Sequence, residues 1–260
     1  MAFLKPAITL ASAVWLMAAN TALEAPRIGF VRLGNGEVWS LRGIAGSFYF
    51  GQRAASGIDR MAFNGGIGIR VSASSGQAEL LGASGEILRT ARVDGDLRRI
   101  GLSPLEDAGY VLTERELWRI TPARAELLTP PELPEGRLVG IAGAGSYVDF
   151  AMALEGQLSI HRLWLGSGEN VMREAFAASP DHLVFLPNGV LVWTEAGDIV
   201  LRRPDASLAR IETGSPGIAS LQESGRGWMH ASGVDGRQFS VRLEGNPLDI
   251  RMRSLPETAR

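Results

Sequence analysis

Hydrophobic and polar residues alternate along most of this chain in short runs, and the clearest run is Val190–Arg203, VLVWTEAGDIVLRR. Apolar residues fill Val190–Glu195 and Asp198–Arg203, and Ala196-Gly197 lies between them. Two short apolar arms around a Gly-containing pair predict a β-hairpin. The same pattern returns at a nearly constant interval. The first apolar residue after each turn is Val38, Ala78, Leu117, Leu158, Ile199 and Phe239, with successive spacings of 40, 39, 41, 41 and 40. A glycine marks five of these turns (Gly36, Gly76, Gly156, Gly197 and Gly236), and Arg115 replaces it in the third.

Each hairpin opens with an apolar strand: Ile28–Leu33, Ile67–Ala73, Tyr110–Thr113, Tyr147–Leu154, Val190–Glu195 and Trp228–Ser232. The rest of each period holds two more short runs parted by turns, such as Ala125–Leu128 and Leu138–Ala142 around Pro130-Pro131. Four strands per period of about 40 residues is the pattern of one propeller blade. The fold class predicted is therefore all-β, a β-propeller of six blades with about four antiparallel strands each, in one domain over residues 27–255. Val171–Ala178 could pass for a short helix, but it aligns with an outer strand of the other repeats. The first copy begins at its second strand, which leaves the first or the last blade incomplete. Leu248–Ser254 could supply the absent inner strand of the first blade, or the outer strand of the sixth.

The amino terminus has a different texture. Lys5 precedes an uncharged apolar run, Ala7–Ala19, and small residues follow at Ala22 and Ala25. That order predicts an export signal over residues 1–22, cleaved after 22 or 25, and hence a periplasmic or extracellular address. The run is too short to span a bilayer comfortably, so no membrane span is expected. A formal charge of −2 argues against nucleic acid as a partner. Cysteine is absent and Lys5 is the one lysine. Thiol catalysis, disulfides and thiolate metal sites are excluded, and so is a Schiff-base lysine in the mature chain.

With four-stranded repeats established, the chain resembles the six-bladed propellers of the YWTD and TolB-like kind. Val192-Trp193-Thr194-Glu195 is similar to the YWTD motif, with Val for Tyr and Glu for Asp, and it occurs once. Gly43-Ile44-Ala45-Gly46, nearly repeated at Gly140-Ile141-Ala142-Gly143, resembles a segment of uncharacterised exported bacterial propellers. The resemblance implies a fold and an address, and no activity.

The candidate chemistry lies just ahead of the predicted inner strands, where an acid is followed closely by a base. The pairs are Asp59-Arg60, Asp96-Leu97-Arg98, Glu135-Gly136-Arg137 and Asp181-His182. A propeller would place them around one mouth of its central channel. Arg60, Arg98, Arg137, Asp181 and His182 are thus the candidate binding residues, facing a small anionic ligand or a protein partner. The competing reading is a set of salt bridges between neighbouring blades. Asp94-Gly95-Asp96 and Asp235-Gly236 read as turn chemistry, and the repeat-related tryptophans read as interblade core. His161, His182 and His230 sit in different repeats, so no metal or other cofactor is expected, and no catalytic residue is assigned. The function expected is a non-catalytic binding or scaffold module. The alternative is a lactonase-like metal-dependent hydrolase, for which the inner strands offer Asn64, Asn188 and Glu223.

Overall fold

The computed structural model describes residues 27–44, 47–64, 66–105, 107–225, 227–244 and 249–254; the signal-like segment 1–22 lies outside them. The first blade holds β1 (Arg27–Arg32), β2 (Val38–Ile44) and β3 (Ser47–Ala55). The second holds β4 (Arg60–Phe63), β5 (Ile67–Ser72), β6 (Gln77–Gly82) and β7 (Ile87–Arg92). The third holds β8 (Leu97–Leu102), β9 (Gly109–Thr113), β10 (Leu117–Ile120) and β11 (Ala125–Leu128). The fourth holds β12 (Arg137–Ala144), β13 (Tyr147–Leu154), β14 (Gln157–Trp164) and β15 (Asn170–Ala177). The fifth holds β16 (Leu183–Phe185), β17 (Leu191–Glu195), β18 (Asp198–Arg202) and β19 (Leu208–Ile211). The sixth holds β20 (Ile218–Gly225), β21 (Trp228–Gly233), β22 (Gln238–Glu244) and β23 (Asp249–Ser254).

Every blade is an antiparallel meander, three-stranded in the first and four-stranded in the other five. The chain is a six-bladed β-propeller. The stretch that could pass for a short helix lies in the outer strand β15 (Asn170–Ala177), as its place in the repeat required, and the C-terminal run supplies the outer strand of the sixth blade as β23 (Asp249–Ser254). At the hairpin that marks the repeat most clearly, Ala196 and Gly197 both adopt positive φ (51° and 87°). That geometry matches the right-handed twist of the flanking strands.

The apolar residues that set the repeat build the interfaces between blades. Val71, Leu80 and Ile69 of the second blade pack on Val111 and Ile120 of the third. Tyr110, Leu112 and Leu117 then meet Ile141, Phe150 and Leu163 of the fourth. Three further interfaces follow the same rule. Trp193, only 2% exposed, packs with Leu158 and Ile160 between the fourth and fifth blades. Val192 and Leu201 pack with Phe239 and Val241 between the fifth and sixth. Phe30, Val38 and Phe63 join the first blade to the second. The seam between the sixth blade and the first is thin among the described residues: Leu41 with Phe50 and Trp228.

No innermost strand accompanies β1 among the described residues, and β20 comes into contact with both β1 and β4. The inner wall thus consists of β4, β8, β12, β16 and β20, with β1 set against the last. The approach is close. A Cβ on Gly29 would overlap the Ser224 carbonyl, and one on Gly101 would overlap the Ile141 carbonyl. Gln222, 6% exposed on β20, fastens this junction. Oriented to satisfy both partners, its amide nitrogen donates to the Met61 carbonyl (3.3 Å) and its oxygen accepts from the Arg32 N–H (3.2 Å). One side chain thereby links the sixth, first and second blades, taking part of the role of an absent strand. Gln222→Leu should lower unfolding stability by about 1–3 kcal/mol, because two buried backbone groups lose their partner. Urea unfolding would check this, and an unchanged midpoint would mean that apolar packing alone closes the ring.

Candidate functional site

Strand register decides which side chains reach the channel. From the anchor Ala78 the ladder runs to Val71 and then to Arg60. In the third blade it runs from Leu117 to Leu112 to Arg99. In the fourth it runs from Leu158 to Ala153 to Arg137. In the fifth, Ile199 faces Thr194, whose N–H donates to the His182 carbonyl (3.0 Å). The sixth gives Phe239, Ala231 and Leu221. Arg60, Arg99, Arg137, His182 and Leu221 therefore share one rung at the start of the inner wall.

The basic ring expected at the mouth has this register, with one shift. Arg98 does not line the channel; it is exposed at a β-bulge where Leu97 pairs with Thr113 and Arg99 with Leu112. The extra residue reverses the alternation of faces, so Arg99 occupies the channel position. The first blade adds a base that periodicity did not suggest. Arg32 ends β1, which corresponds to the second strand of the other blades, yet it lines the channel because no described strand stands in front of it. No spacing rule would find that position.

The four predicted positions that carry a base do not behave alike. Arg137 reaches across to the fifth blade, donating to the carbonyls of Pro180 (2.8 Å) and Asp181 (3.1 Å) and to the Asp181 carboxylate (3.3 Å). Both side chains of that ion pair are about half exposed, so it is a weak interblade tie. Arg60 and His182, by contrast, line the cavity with Arg32 and Arg99.

That cavity has a volume of about 210 Å³. Its walls include Phe63, Ile100, Ile141, Val184, Phe185 and Leu221, and its polar groups include Asn64, Gln222 and Glu223. Among the described residues, none of the Arg32, Arg60 and Arg99 guanidiniums is within ion-pairing reach of a carboxylate. Arg32 donates to the Ile58 carbonyl, Arg60 to the Asp59 carbonyl and Arg99 to the Val139 carbonyl. Burial lowers the Arg99 pKa to about 10, with repulsion from Arg60 and Arg137 added, so it stays charged at neutral pH. Arg32 is lowered by burial and by Arg60, against the opposing pull of Asp59. Burial, then the Arg99 charge, pushes His182 down to about 4, which makes it a neutral imidazole at pH 7.

A second cavity, of about 360 Å³ between the fourth and fifth blades, provides a contrast. There Arg162 makes a two-bonded pair with Asp149 (2.7 and 2.8 Å) and lies over the Tyr147 ring (3.4 Å). Arg173 also approaches Asp149 (3.6 Å), and Arg202 pairs with Glu174 (3.0 Å). Its cations are matched internally. The channel cations are not.

Of the residues offered for a metal, Asn64 and Glu223 line the same cavity. Asn64 spends its side chain on the turn, accepting from the N–H groups of Gly66 (3.2 Å) and Ile67 (3.0 Å). Asn188 lies in the one-turn helix Pro187–Gly189, while Glu223 faces the channel. No cluster of three His, Cys, Asp or Glu side chains suited to a metal occurs among the described residues. No helix there is long and apolar enough to cross a membrane.

No protein-family model matches the chain, and no curated protein matches it. Solved structures do. The chain is similar to one in the crystal structure of a nidogen/laminin complex, at 12% identity and a TM-score of 0.59, over 83% of this chain and 89% of that one. It is also similar to a streptogramin B lyase structure, at 12% identity and a TM-score of 0.47, over 88% and 83% of the two chains. At 12% identity the likeness to the nidogen/laminin chain is one of fold.

The neutral imidazole has a checkable consequence. With a folded pKa of about 4 against an ordinary 6.5, His182 resists protonation in the native state but not in the unfolded one. Its stabilising contribution is whole above pH 6.5 and is lost as pH falls through 4, by at most about 3 kcal/mol. His230, fully buried against Gln238 (2.8 Å) and also lowered to about 4, adds in the same window. Denaturant midpoints measured from pH 8 to 4 should fall below pH 6.5, less steeply in His182→Gln. Equal slopes would mean that His182 titrates normally.

Proposed function

We propose that this protein is an exported binding propeller whose channel mouth holds a small anionic ligand. The observation that supports it is the convergence of Arg32, Arg60 and Arg99 in one cavity, with no carboxylate paired to any of them among the described residues. Arg32 and Arg99 are partly buried and Arg60 is exposed; partly buried cations without counterions are unfavourable, and an anion with two oxygens matches the planar fork of a guanidinium. The cavity size suits a ligand of a few heavy atoms, closer to a metabolite than to a peptide. Neutral His182 adds a polar contact without further charge. The export address rests on the Lys5 and Ala7–Ala19 pattern of the sequence.

The proposal separates Arg99 from its neighbour in sequence. Titration with inorganic phosphate and with short carboxylates should show saturable binding that weakens with salt. Arg60→Met and Arg99→Met should each weaken it about tenfold or more, as expected for a lost charge-assisted contact. Arg98→Met should leave it unchanged. Equal effects at Arg98 and Arg99, or no binding of any small anion, would overturn the proposal.

A further inference from the structure

The same channel carries one ionisable group that anion binding does not use. Glu223 lies on β20 and lines the cavity, and its carboxyl makes no hydrogen bond and no ion pair among the described residues. Register places it deeper than the basic rung. Leu221 is the sixth blade's counterpart of Arg60, and Glu223 lies two residues further along the strand, or about 6.6 Å down the wall. The other strands present Ala62, Gly101 and Val184 toward that part of the cavity, none of which has a polar side chain. The titratable groups that share the cavity are Arg32, Arg60, Arg99 and His182.

An acid and three guanidiniums in one small cavity would be expected to pair, and here they do not. The mouth offers donors only, since a guanidinium has no acceptor. The deeper level offers, on ionisation, acceptors only. The Glu223 carboxyl and the guanidiniums face the same volume from two depths without pairing to one another.

Resting on the anion-binding reading, we infer that the ligand is a zwitterion. Its anionic group sits among Arg60, Arg99 and Arg32, and its ammonium group sits against the Glu223 carboxyl. The charges would be about two strand residues apart, the separation found in an ω-amino acid with a short methylene chain. The apolar walls at Ile100, Ile141 and Leu183 suit those methylenes. Burial raises the Glu223 pKa to about 8, so the empty site holds a neutral acid at pH 7. An arriving ammonium would favour the carboxylate and expel that proton to solvent.

Four matched probes test this by calorimetry at pH 7: valerate, δ-aminovalerate, pentylamine and glutarate. δ-Aminovalerate should bind about tenfold tighter than valerate, the gain of one buried charge-assisted contact. Repeating the titration in buffers of different ionisation heat should show release of close to one proton with δ-aminovalerate and none with valerate. In Glu223→Gln the tenfold gain should vanish while valerate affinity holds. Valerate or glutarate binding as tightly as δ-aminovalerate would overturn the zwitterion and leave the anion site standing, with glutarate favouring a neutral Glu223 that donates to a second carboxylate. Should none of the four bind, the anion-site reading itself falls. The proton count is read on the wild-type protein, so the inference is testable even where Glu223→Gln fails to fold.

Discussion

Closing a ring of sheets is the constraint from which the rest of this molecule follows. Five of the six blade interfaces are broad apolar cores, but the sixth meets the first through Leu41, Phe50 and Trp228 among the described residues. The first blade also lacks a described inner strand, so an edge of β1 would otherwise present unpaired backbone groups. The fold answers with proximity and one amide. β20 comes close enough to β1 and to β4 that Gly29 has no room for a Cβ, and Gln222 takes the Arg32 N–H and the Met61 carbonyl as its partners. The inner wall is thereby reduced to five strands around a small cavity.

The same constraint shapes the electrostatics. Because β1 is not screened from the axis by a described strand, Arg32 joins a ring to which the inner strands bring Arg60 and Arg99. Arginine is the dominant cation of this chain, and beyond the channel many of its copies are matched. Arg162 binds Asp149, Arg202 binds Glu174, and Arg210 binds both Glu195 and Asp198. Such pairs add little where they are exposed, but they leave no field to attract a ligand. The channel differs because, among the described residues, the guanidiniums of Arg32, Arg60 and Arg99 rest on backbone carbonyls and the Glu223 carboxyl stands apart from them. Electrostatic focusing in a concave, largely apolar site makes that imbalance a binding feature in a way that surface charge is not.

Much of the architecture was readable from the chain alone because β-hairpins carry local signals. Alternation, a turn glycine and a spacing near 40 residues are all properties of contiguous sequence, so Val190–Arg203 and its five relatives predicted the six blades. Trp193 was correctly taken as packing, since its place in the repeat puts it on an interblade face. Of the bases read ahead of the anchors, Arg60 and His182 line the cavity, whereas Arg137 turns to the fifth blade. The step from Arg98 to Arg99 was not readable, because a one-residue bulge shifts side chains to the opposite face without disturbing the hydrophobic spacing.

What the sequence determined by itself, then, was the repeat: hairpin registers and the apolar faces that neighbouring blades bury. Tertiary structure decided the rest, because closure brings together residues far apart in the chain. It allowed the second-strand Arg32 to reach the axis, turned Gln222 into a clasp and gave Arg137 to a neighbouring blade. It also placed Glu223 in the same cavity as Arg32, Arg60 and Arg99, none of which is ion-paired among the described residues. Local propensity fixes strands and turns. Which charges find partners depends on the geometry of the closed ring.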